Sequence, residues 1–285
     1  MLVGSWVAAR EAIARRGVVV DDAFGRWTAR LEAVSPAETP TDVPLALVLV
    51  KSHQTAHAAE TLARALAPAG LAVTLQNGLG NREALADRLG PQRVAVGVAT
   101  IGARLLSPGE VRVAGGRVLL GADDANRSRV ERLAERMQAG GLDAAVAQDW
   151  APAVWAKLAS NCAINPLTAL NGVTNGALLE DAVSRTTLLA AAREVAAVAD
   201  AAGVRLDVDA GLFAEQVARE TAENRSSMLQ DLERGAATEI DALCGAIVAE
   251  GRRHRVPTPV NETLWRRVRA REGRPIAEDA PRSGR

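Results

Sequence analysis

Short apolar runs alternate with helix-like segments through the first half of the chain, and this alternation rules out most folds. The run LALVLV, residues 45–50, is continuously apolar and of strand length, as expected for a strand that is buried on both faces. Further strand-like runs follow at residues 71–76 and 93–100, with helical periodicity between them. Strands and helices in this order predict a mostly parallel, doubly wound α/β sheet.

The remaining segments of the first half fit the same architecture. Helices are predicted at residues 8–16, 54–66, 81–89 and 126–137, and a further strand is predicted at residues 144–147. The segment VRVAGGRVLL, residues 111–120, is predicted to form a β-hairpin with arms 111–113 and 118–120 around Gly115-Gly116. All of these elements lie within residues 1–148, which we expect to form one α/β domain.

Alanine-rich helical periodicity replaces the strand signals from Trp150 and continues to about Arg271. This change of pattern predicts an all-helical second domain over residues 149–272. The last segment, residues 273–285, is polar and contains Pro and Gly, and we expect it to be a disordered tail.

Charge and composition exclude several classes of function. Lys and Arg together number 34, as do Asp and Glu, so the formal net charge is zero and offers no general field for nucleic acid or an anionic membrane. Aromatic residues make up only 2% of the chain, which leaves few platforms for base stacking. No apolar run approaches the ~20 residues of a membrane span, and the N-terminus does not resemble a signal peptide. We therefore expect a cytoplasmic protein with a small-molecule partner.

The cysteines and histidines do not predict a metal site. Cys162 and Cys244 lie far apart in apolar helical contexts; they could form one disulfide, but buried free thiols are the expected state. His53 and His57 are four residues apart, and no acidic third ligand lies close to them in the sequence.

A polar stripe is predicted near the start of the helical half. Lys157, Asn161 and Asn165 are spaced four residues apart, so a helix places them on one face, each about one turn from the next. Lys can protonate an alkoxide, and Asn can both donate to and accept from a substrate hydroxyl. From the spacing alone, a catalytic cleft and a solvated polar face both remain open.

A second group of polar residues lies between Asn224 and Asp241. Asn224 and Ser227 are three residues apart and would share one face of a helix. Thr238 and Asp241 have the spacing of an N-cap and its third helical residue, which would place Glu239 in the first turn of a new helix. There the helix dipole favours an ionised carboxylate. Such a carboxylate could bind a hydroxyl or an ammonium group of a ligand. Alternatively, it could only stabilise the helix by its interaction with the helix dipole.

Polar residues also follow two of the predicted strands directly. Lys51 follows the strand at residues 45–50, and Asn77-Gly78 follows the strand at residues 71–76. Ligands of doubly wound folds bind at the carboxyl ends of the strands, so these residues occupy the expected positions for a ligand site. Ordinary turn formation by Asn-Gly is the alternative.

Taken together, these segments resemble the ketopantoate reductase (2-dehydropantoate 2-reductase) family over about residues 3–272. The most specific stretches are VLVKSHQ, LQNGLG, WAKLASNCAINPLTAL and ENRSSMLQDLERGAATEID, in this order. The resemblance implies a Rossmann-type NADP-binding domain followed by a helical catalytic domain. It also implies NADPH as cofactor, a 2-keto acid as substrate and the reduction of ketopantoate to D-pantoate on the route to pantothenate and coenzyme A. A homodimer is compatible with it.

The resemblance also implies roles for individual residues. Lys157 matches the general acid that protonates the C2 oxygen of the substrate, and Glu239 matches the acidic residue that helps to place Lys157 and the substrate hydroxyl. Asn161 and Asn165 match the asparagines that bind the hydroxyl end of the substrate. The other implied contacts are Asn77, Asn224 and Ser227 for the substrate, and Lys51, Asn77 and Glu239 for the cofactor.

The N-terminal segment departs from the family pattern. Family members begin with a strand, a G-x-G-x-x-G loop and a helix, whereas residues 1–6 look like the end of the second strand and no G-x-G-x-x-G occurs in the chain. The missing piece would be on the order of 25 residues, one βα unit with its turn. We therefore expect an N-terminally incomplete dinucleotide domain, and a chain starting at Met1 that does not bind NADPH competently.

Cofactor preference and substrate are less constrained by the sequence. No Asp or Glu ends the strand-like segment at residues 1–6, whereas Ser5 is compatible with a 2′-phosphate, so NADP is favoured over NAD. A related dehydrogenase that acts on another 2-keto or 3-hydroxy acid remains open. So does a non-catalytic remnant that serves as a binding module.

Overall fold

In the computed structural model, which describes residues 1–274, the chain forms two units. The first unit holds residues 1–50, 54–76 and 81–150. The second unit holds residues 51–53, residues 77–80 and, of the described chain, residues 151–274. Two short segments of the alternating half therefore group with the helical half.

The first unit contains eleven strands and four helices among its described residues. In chain order they are β1 (Leu2–Val3), α1 (Val7–Arg16), β2 (Val18–Asp22), β3 (Gly25–Ala29), β4 (Ala33–Val34), β5 (Val43–Val48), α2 (Thr55–Ala65), β6 (Leu66–Thr74), α3 (Asn81–Leu89), β7 (Val94–Ala99), β8 (Gly102–Ser107), β9 (Glu110–Ala114), β10 (Arg117–Gly121), α4 (Arg127–Ala139) and β11 (Asp143–Ala147). The four helices correspond to the four predicted ones.

A five-stranded sheet in the order β11-β10-β7-β6-β5 forms the centre of this unit. Strands β5, β6 and β7 are parallel, and β10 runs antiparallel to β7 and parallel to β11. Along β6, Leu71 and Val73 pack into one apolar cluster and Ala72 packs into another. Because successive side chains of a strand point to opposite faces, β6 is buried on both sides. The predicted mostly parallel α/β sheet is confirmed.

The predicted hairpin at residues 111–120 is wrong. β9 pairs with β8 and β2 in a separate four-stranded sheet of order β3-β2-β9-β8, whereas β10 pairs with β7 and β11. Val118 and Leu120 of β10 are 2% and 0% exposed, whereas no residue of β9 is buried, so pairing with β9 would not give this burial. A glycine is needed at position 116 for another reason. A Cβ there would lie 2.6 Å from the backbone nitrogen of Ile101. Gly116 thus permits a close approach of two backbone segments.

The second unit is helical. Its helices in chain order are α5 (Ala151–Asn171), α6 (Ala177–Glu180), α7 (Ala182–Ala201), α8 (Ala210–Glu220), α9 (Ser227–Glu233), a π-helix (Asp241–Gly245), α10 (Ala246–His254) and α11 (Pro259–Arg271). α5 contacts α7, α8, α9 and α11, and its Ala159 and Ala163 are fully buried. Small side chains at these positions let the neighbouring helices approach closely. The predicted all-helical second half is confirmed.

None of the helices within residues 1–274 combines the length and the apolarity that a membrane crossing requires. Of the predicted tail, Gly273 and Arg274 are described, and the guanidinium of Arg274 donates to Asp241 Oδ2 at 3.2 Å. Residues 275–285 of that prediction lie outside the described residues.

Candidate active site

The polar stripe predicted from the sequence lies on α5. Lys157 and Asn161 are half-buried, and Asn165, one turn further on, is 8% exposed. The apolar residues between them are buried in the helical core: Leu158, Cys162 and Ile164 are 2%, 0% and 3% exposed. A helix face that is neither fully buried nor fully solvated is suited to line a cleft, and it does not fit a plain solvated face.

The carboxylate of Glu239 is the centre of a hydrogen-bond network in the second unit. Its Oε1 accepts from the backbone N–H of Ser52 at 3.0 Å and from the Ser52 hydroxyl at 2.9 Å. Its Oε2 accepts from Asn77 Nδ2 at 3.3 Å and lies 3.9 Å from Lys51 Nζ. Glu239 is only 8% exposed, so these donors replace the water that an exposed carboxylate would bind.

The amine of Lys157 has a lowered pKa. Burial lowers the pKa of Lys157 to about 8, and the negative charge of Glu239 acts in the opposite direction by favouring the ammonium. An amine with this pKa is mostly protonated at neutral pH and still gives up its proton readily. The pair therefore has the properties of a proton donor that works near physiological pH.

Lys51 belongs to a second ion-pair group. Its Nζ lies 2.6 Å from Oδ2 of Asp231, and Arg234 Nη2 lies 2.7 Å from the other oxygen. The Asp231 side chain is only 3% exposed. A buried carboxylate of this kind needs paired partners, and here a cation contacts each oxygen. The group holds the Lys51 ammonium close to Glu239.

The loop 77–80 is held against the π-helix. Gly78 has φ +85°, and a Cβ there would lie 2.4 Å from the carbonyl oxygen of Ala242. The N–H of Leu79 donates to the same carbonyl at 3.0 Å. Within this loop, Asn77 Oδ1 accepts from Asn161 Nδ2 at 3.5 Å. The Asn-Gly pair thus forms a turn, and that turn also carries Asn77 to both Glu239 and the α5 stripe.

The predicted capping box at residues 238–241 does not form. The Thr238 hydroxyl accepts from the N–H of Ile240 at 3.2 Å, and the π-helix begins only at Asp241. The Asp241 carboxylate binds Trp265 Nε1 at 2.7 Å and Arg269 Nη1 at 2.9 Å. With its carboxylate on these two partners, Asp241 does not accept from the N–H of Thr238, which donates to Glu272 Oε1 at 2.6 Å. Glu239 accordingly precedes the helix and does not lie in its first turn.

The prediction that Asn224 and Ser227 share a helix face is also wrong. The hydroxyl of Ser226 caps α9 by accepting from the N–H of Leu229 at 3.1 Å, so Ser227 is the first helical residue and Asn224 lies before the helix. Both predicted residues are exposed. The carbonyl of Asn224 accepts from the N–H of Asn175 at 3.0 Å, which fixes the approach to α9.

Two site residues were not found from the sequence. Asp231 lies three residues after the buried Met228, and an acidic residue on the apolar face of a helix is a signal that could have identified it. Ser52 directly follows Lys51, and the strand-end argument that selected Lys51 extends to it.

Neither the histidines nor the cysteines form a further centre. Within residues 1–274, no group of three or more His, Cys, Asp and Glu side chains is arranged to hold a metal ion. Cys162 and Cys244 are buried free thiols.

Two family models match the chain. The model described as "Ketopantoate reductase PanE/ApbA" matches residues 1–124, and the model described as "Ketopantoate reductase PanE/ApbA C terminal" matches residues 149–272. Together they cover both the α/β and the helical part of the chain.

Individual relatives agree with these matches. A 2-dehydropantoate 2-reductase of Halobacterium salinarum is 42% identical over 254 residues, which are 88% of this chain and 83% of the relative. The crystal structure of a PanE/ApbA family ketopantoate reductase from Ralstonia eutropha JMP134 has a TM-score of 0.86 and 31% identity, and covers 94% of this chain and 89% of that one. The ternary structure of D-mandelate dehydrogenase with NADH and anilino(oxo)acetate shares the fold, with a TM-score of 0.90 at 24% identity over 95% of this chain and 90% of the other. The chain belongs to the ketopantoate reductase family.

Proposed function

We propose that this protein reduces 2-dehydropantoate (ketopantoate) to D-pantoate with NADPH, a step on the route to pantothenate and coenzyme A. The substrate is supported by the relative from Halobacterium salinarum, which bears the name 2-dehydropantoate 2-reductase. The chemistry is supported above all by one observation: the half-buried Lys157, with its pKa lowered to about 8, shares a helix face with Asn161 and Asn165.

Lys157 is the general acid in this proposal. Hydride adds to C2 of the keto acid, the electron pair of the C2 carbonyl moves to its oxygen, and the Lys157 ammonium transfers a proton to that oxygen. The amine then regains a proton from solvent. A pKa of about 8 suits this role, because the acid is protonated before the step and its proton is not held too tightly.

The amide side chains of α5 hold the hydroxyl end of the substrate. The contact between Asn161 Nδ2 and Asn77 Oδ1 is 3.5 Å, at the weak limit for a hydrogen bond. Asn161 can therefore exchange this contact for a substrate hydroxyl at little cost. Asn165 adds a second amide one turn away, and the exposed Asn224 and Ser227 remain proposed contacts for the substrate, with Ser227 near its carboxylate.

Lys51, Asn77 and Glu239 are the residues that would contact the cofactor. An ammonium has three N–H donors, and Asp231 takes one of those of Lys51, so Lys51 can still donate to a hydroxyl of a bound dinucleotide. These donors and acceptors fit the sugar and amide groups next to a nicotinamide ring. When bound, the cofactor supplies the hydride.

Preference for NADPH over NADH is supported by the start of the chain. The guanidinium of Arg10 donates to the carbonyl of Gly4 at 2.8 Å, which brings a cation next to the exposed Ser5. A cation and a hydroxyl at this point suit a 2′-phosphate, whereas an NAD site typically presents an Asp or Glu there.

The test is a steady-state assay of cofactor oxidation with two matched substrates. Trimethylpyruvate differs from ketopantoate only in lacking the 4-hydroxyl, so it offers the amides of Asn161 and Asn165 no hydroxyl to bind. We expect kcat/KM for ketopantoate to exceed that for trimethylpyruvate by about tenfold or more, and NADPH to be preferred to NADH. Absence of ketopantoate-dependent NADPH oxidation would overturn the proposed function, and equal kcat/KM values for the two acids would overturn the role of the amides.

A further inference from the structure

Both hydrogen-bond donors of Ser52 lie within hydrogen-bond distance of one carboxylate oxygen. Its backbone N–H and its hydroxyl lie 3.0 Å and 2.9 Å from Oε1 of Glu239. Ser52 is the first residue of a short 3₁₀ turn, Ser52–Gln54, and the first N–H groups of such a turn have no partner within it. The fold therefore directs a backbone donor and a side-chain donor of the same residue at Glu239.

The hydroxyl of Ser52 has a second acceptor within reach. Its Oγ lies 3.0 Å from the backbone carbonyl of Asn77, nearly as close as it lies to Glu239. A hydroxyl has a single proton, so these two acceptors compete for it. The side chain of Asn77 donates to the other oxygen of Glu239. Ser52 thus links the carboxylate to the loop 77–80 as well as to its own turn.

We propose that Ser52 is a positioning residue for the reduction. Its two donors fix the carboxylate of Glu239, and the position of that carboxylate determines how strongly the amine of Lys157 binds its proton. This inference rests on the proposed function. Ser52 itself touches neither the reacting carbon nor its oxygen in this scheme; it acts through Glu239.

Several charged groups share this part of the second unit. The carboxylate of Glu239 faces the ammonium of Lys51 at 3.9 Å and influences the charge of Lys157. Lys51 is itself held by Asp231 at 2.6 Å, and Arg234 contacts the far oxygen of Asp231. With the Lys51 ammonium 3.9 Å away, a carboxylate that is not held by Ser52 can turn toward Lys51. Such a turn removes part of the negative charge that favours the protonated form of Lys157.

The experiment compares Ser52→Ala with Ser52→Thr. Ser52→Ala removes the hydroxyl and keeps the backbone N–H, whereas Ser52→Thr keeps both donors. We expect Ser52→Ala to lower kcat about tenfold, the effect of one hydrogen bond to a charged group, with a smaller change in KM. Its kcat should also begin to fall at a lower pH than that of the wild type, and Ser52→Thr should restore both properties.

Ser107→Ala is the matched control. The hydroxyl of Ser107 donates to Oε2 of Glu110 at 3.0 Å, so this variant loses a serine–carboxylate bond of the same type in the first unit. Its kcat and pH profile should equal those of the wild type. If Ser52→Ala kept the wild-type kcat and pH profile, or if Ser52→Thr were as impaired as Ser52→Ala, the positioning role would be refuted.

A second readout does not require turnover. The rate at which acetic anhydride acetylates Lys157 at a series of pH values, followed by peptide mass spectrometry, gives the pKa of that amine directly. We expect the midpoint of Ser52→Ala to lie below that of the wild type, because the carboxylate that favours the ammonium is less well held. If the wild type does not reduce ketopantoate, the proposed function fails, and unchanged acetylation midpoints would still refute the role of Ser52 independently.

Discussion

The thiol of Cys244 donates a hydrogen bond to the backbone carbonyl of Cys162, with 3.7 Å between sulfur and oxygen. That carbonyl lies four residues before Pro166, which is inside α5 and has no N–H to offer it. A buried carbonyl without a partner is costly. The thiol therefore replaces the bond that α5 loses at Pro166, within the helix that carries Lys157.

Removing the two sulfurs one at a time isolates this bond. Cys162→Ala and Cys244→Ala each delete one Sγ from a position that is 0% exposed, so their cavity costs are comparable. Only Cys244→Ala also leaves the Cys162 carbonyl unpaired, and we expect it to be less stable than Cys162→Ala by about 1 kcal/mol. Urea unfolding of both variants measures the difference. Equal losses would show that the thiol does not replace the missing N–H.

Substituting Gly78 should disturb catalysis more than folding. In Gly78→Ala the new Cβ meets the Ala242 carbonyl at 2.4 Å, so the loop that carries Asn77 must shift. We expect kcat/KM to fall at least about tenfold, since a displacement of an ångström at a positioning group has effects of this size.

Gly80→Ala is the control, because Gly80 has a similar φ of +87° with open space around its Cα. It should lose about 1 kcal/mol of stability and retain most of kcat/KM; a comparable kinetic loss in both variants would contradict the contact with Ala242 as the cause.

The activity should depend on the protonation of Lys157. Because Lys157 must be protonated to act as the proposed general acid and its pKa is lowered to about 8, kcat/KM for ketopantoate should fall as the pH rises through about 8. Lys157→Ala should lower kcat by about 10²–10⁴. In Glu239→Gln the falling limb should move to lower pH, since the negative charge of Glu239 favours the ammonium. A limb that stays in place, measured in overlapping buffers at constant ionic strength, would separate Glu239 from Lys157.

The same lysine should reduce the stability of the fold. Its pKa falls from the ordinary 10.5 to about 8 on burial, so the unfolded chain binds the proton more tightly between these values and the free energy of unfolding rises with pH there. The cost of the buried ammonium is fully present below about pH 8 and is lost by about pH 10.5. We expect Lys157→Met to be more stable than the wild type at pH 7 by on the order of 2–3 kcal/mol. Thermal unfolding at pH 7 and pH 10 checks both the sign and the expected convergence.

Local patterns in the sequence were sufficient for the elements that depend on neighbours along the chain. The spacing of Lys157, Asn161 and Asn165 predicted their common helix face, and the apolar run at residues 45–50 predicted a strand of the parallel sheet, which the structure has at Val43–Val48. Both features follow from backbone periodicity, which a few residues determine.

The errors arose where distant residues decide the structure. Gly115-Gly116 has the composition of a hairpin turn, but β10 pairs with β7 and β11 in the central sheet. Asp241 has the spacing of a cap, but its carboxylate binds Trp265 and Arg269, which lie 24 and 28 residues further along the chain. Ser52 was not selected as a site residue because its partner, Glu239, is 187 residues away. No short sequence window contains these interactions.

That separation has a consequence for the order in which the protein acquires its chemistry during synthesis. Ser52 meets Glu239 across 187 residues, and Lys51 meets Asp231 across 180. A chain emerging from the ribosome presents Lys51, Ser52 and then all of α5 before either carboxylate exists. In such a nascent chain Lys157 is already synthesised. Glu239 is not yet present to favour its protonated form, and Asp231 is not yet present to hold the Lys51 ammonium. In the proposed mechanism, Lys157 therefore cannot act as a tuned general acid until translation has passed Glu239, and the proposed activity appears only near the end of synthesis.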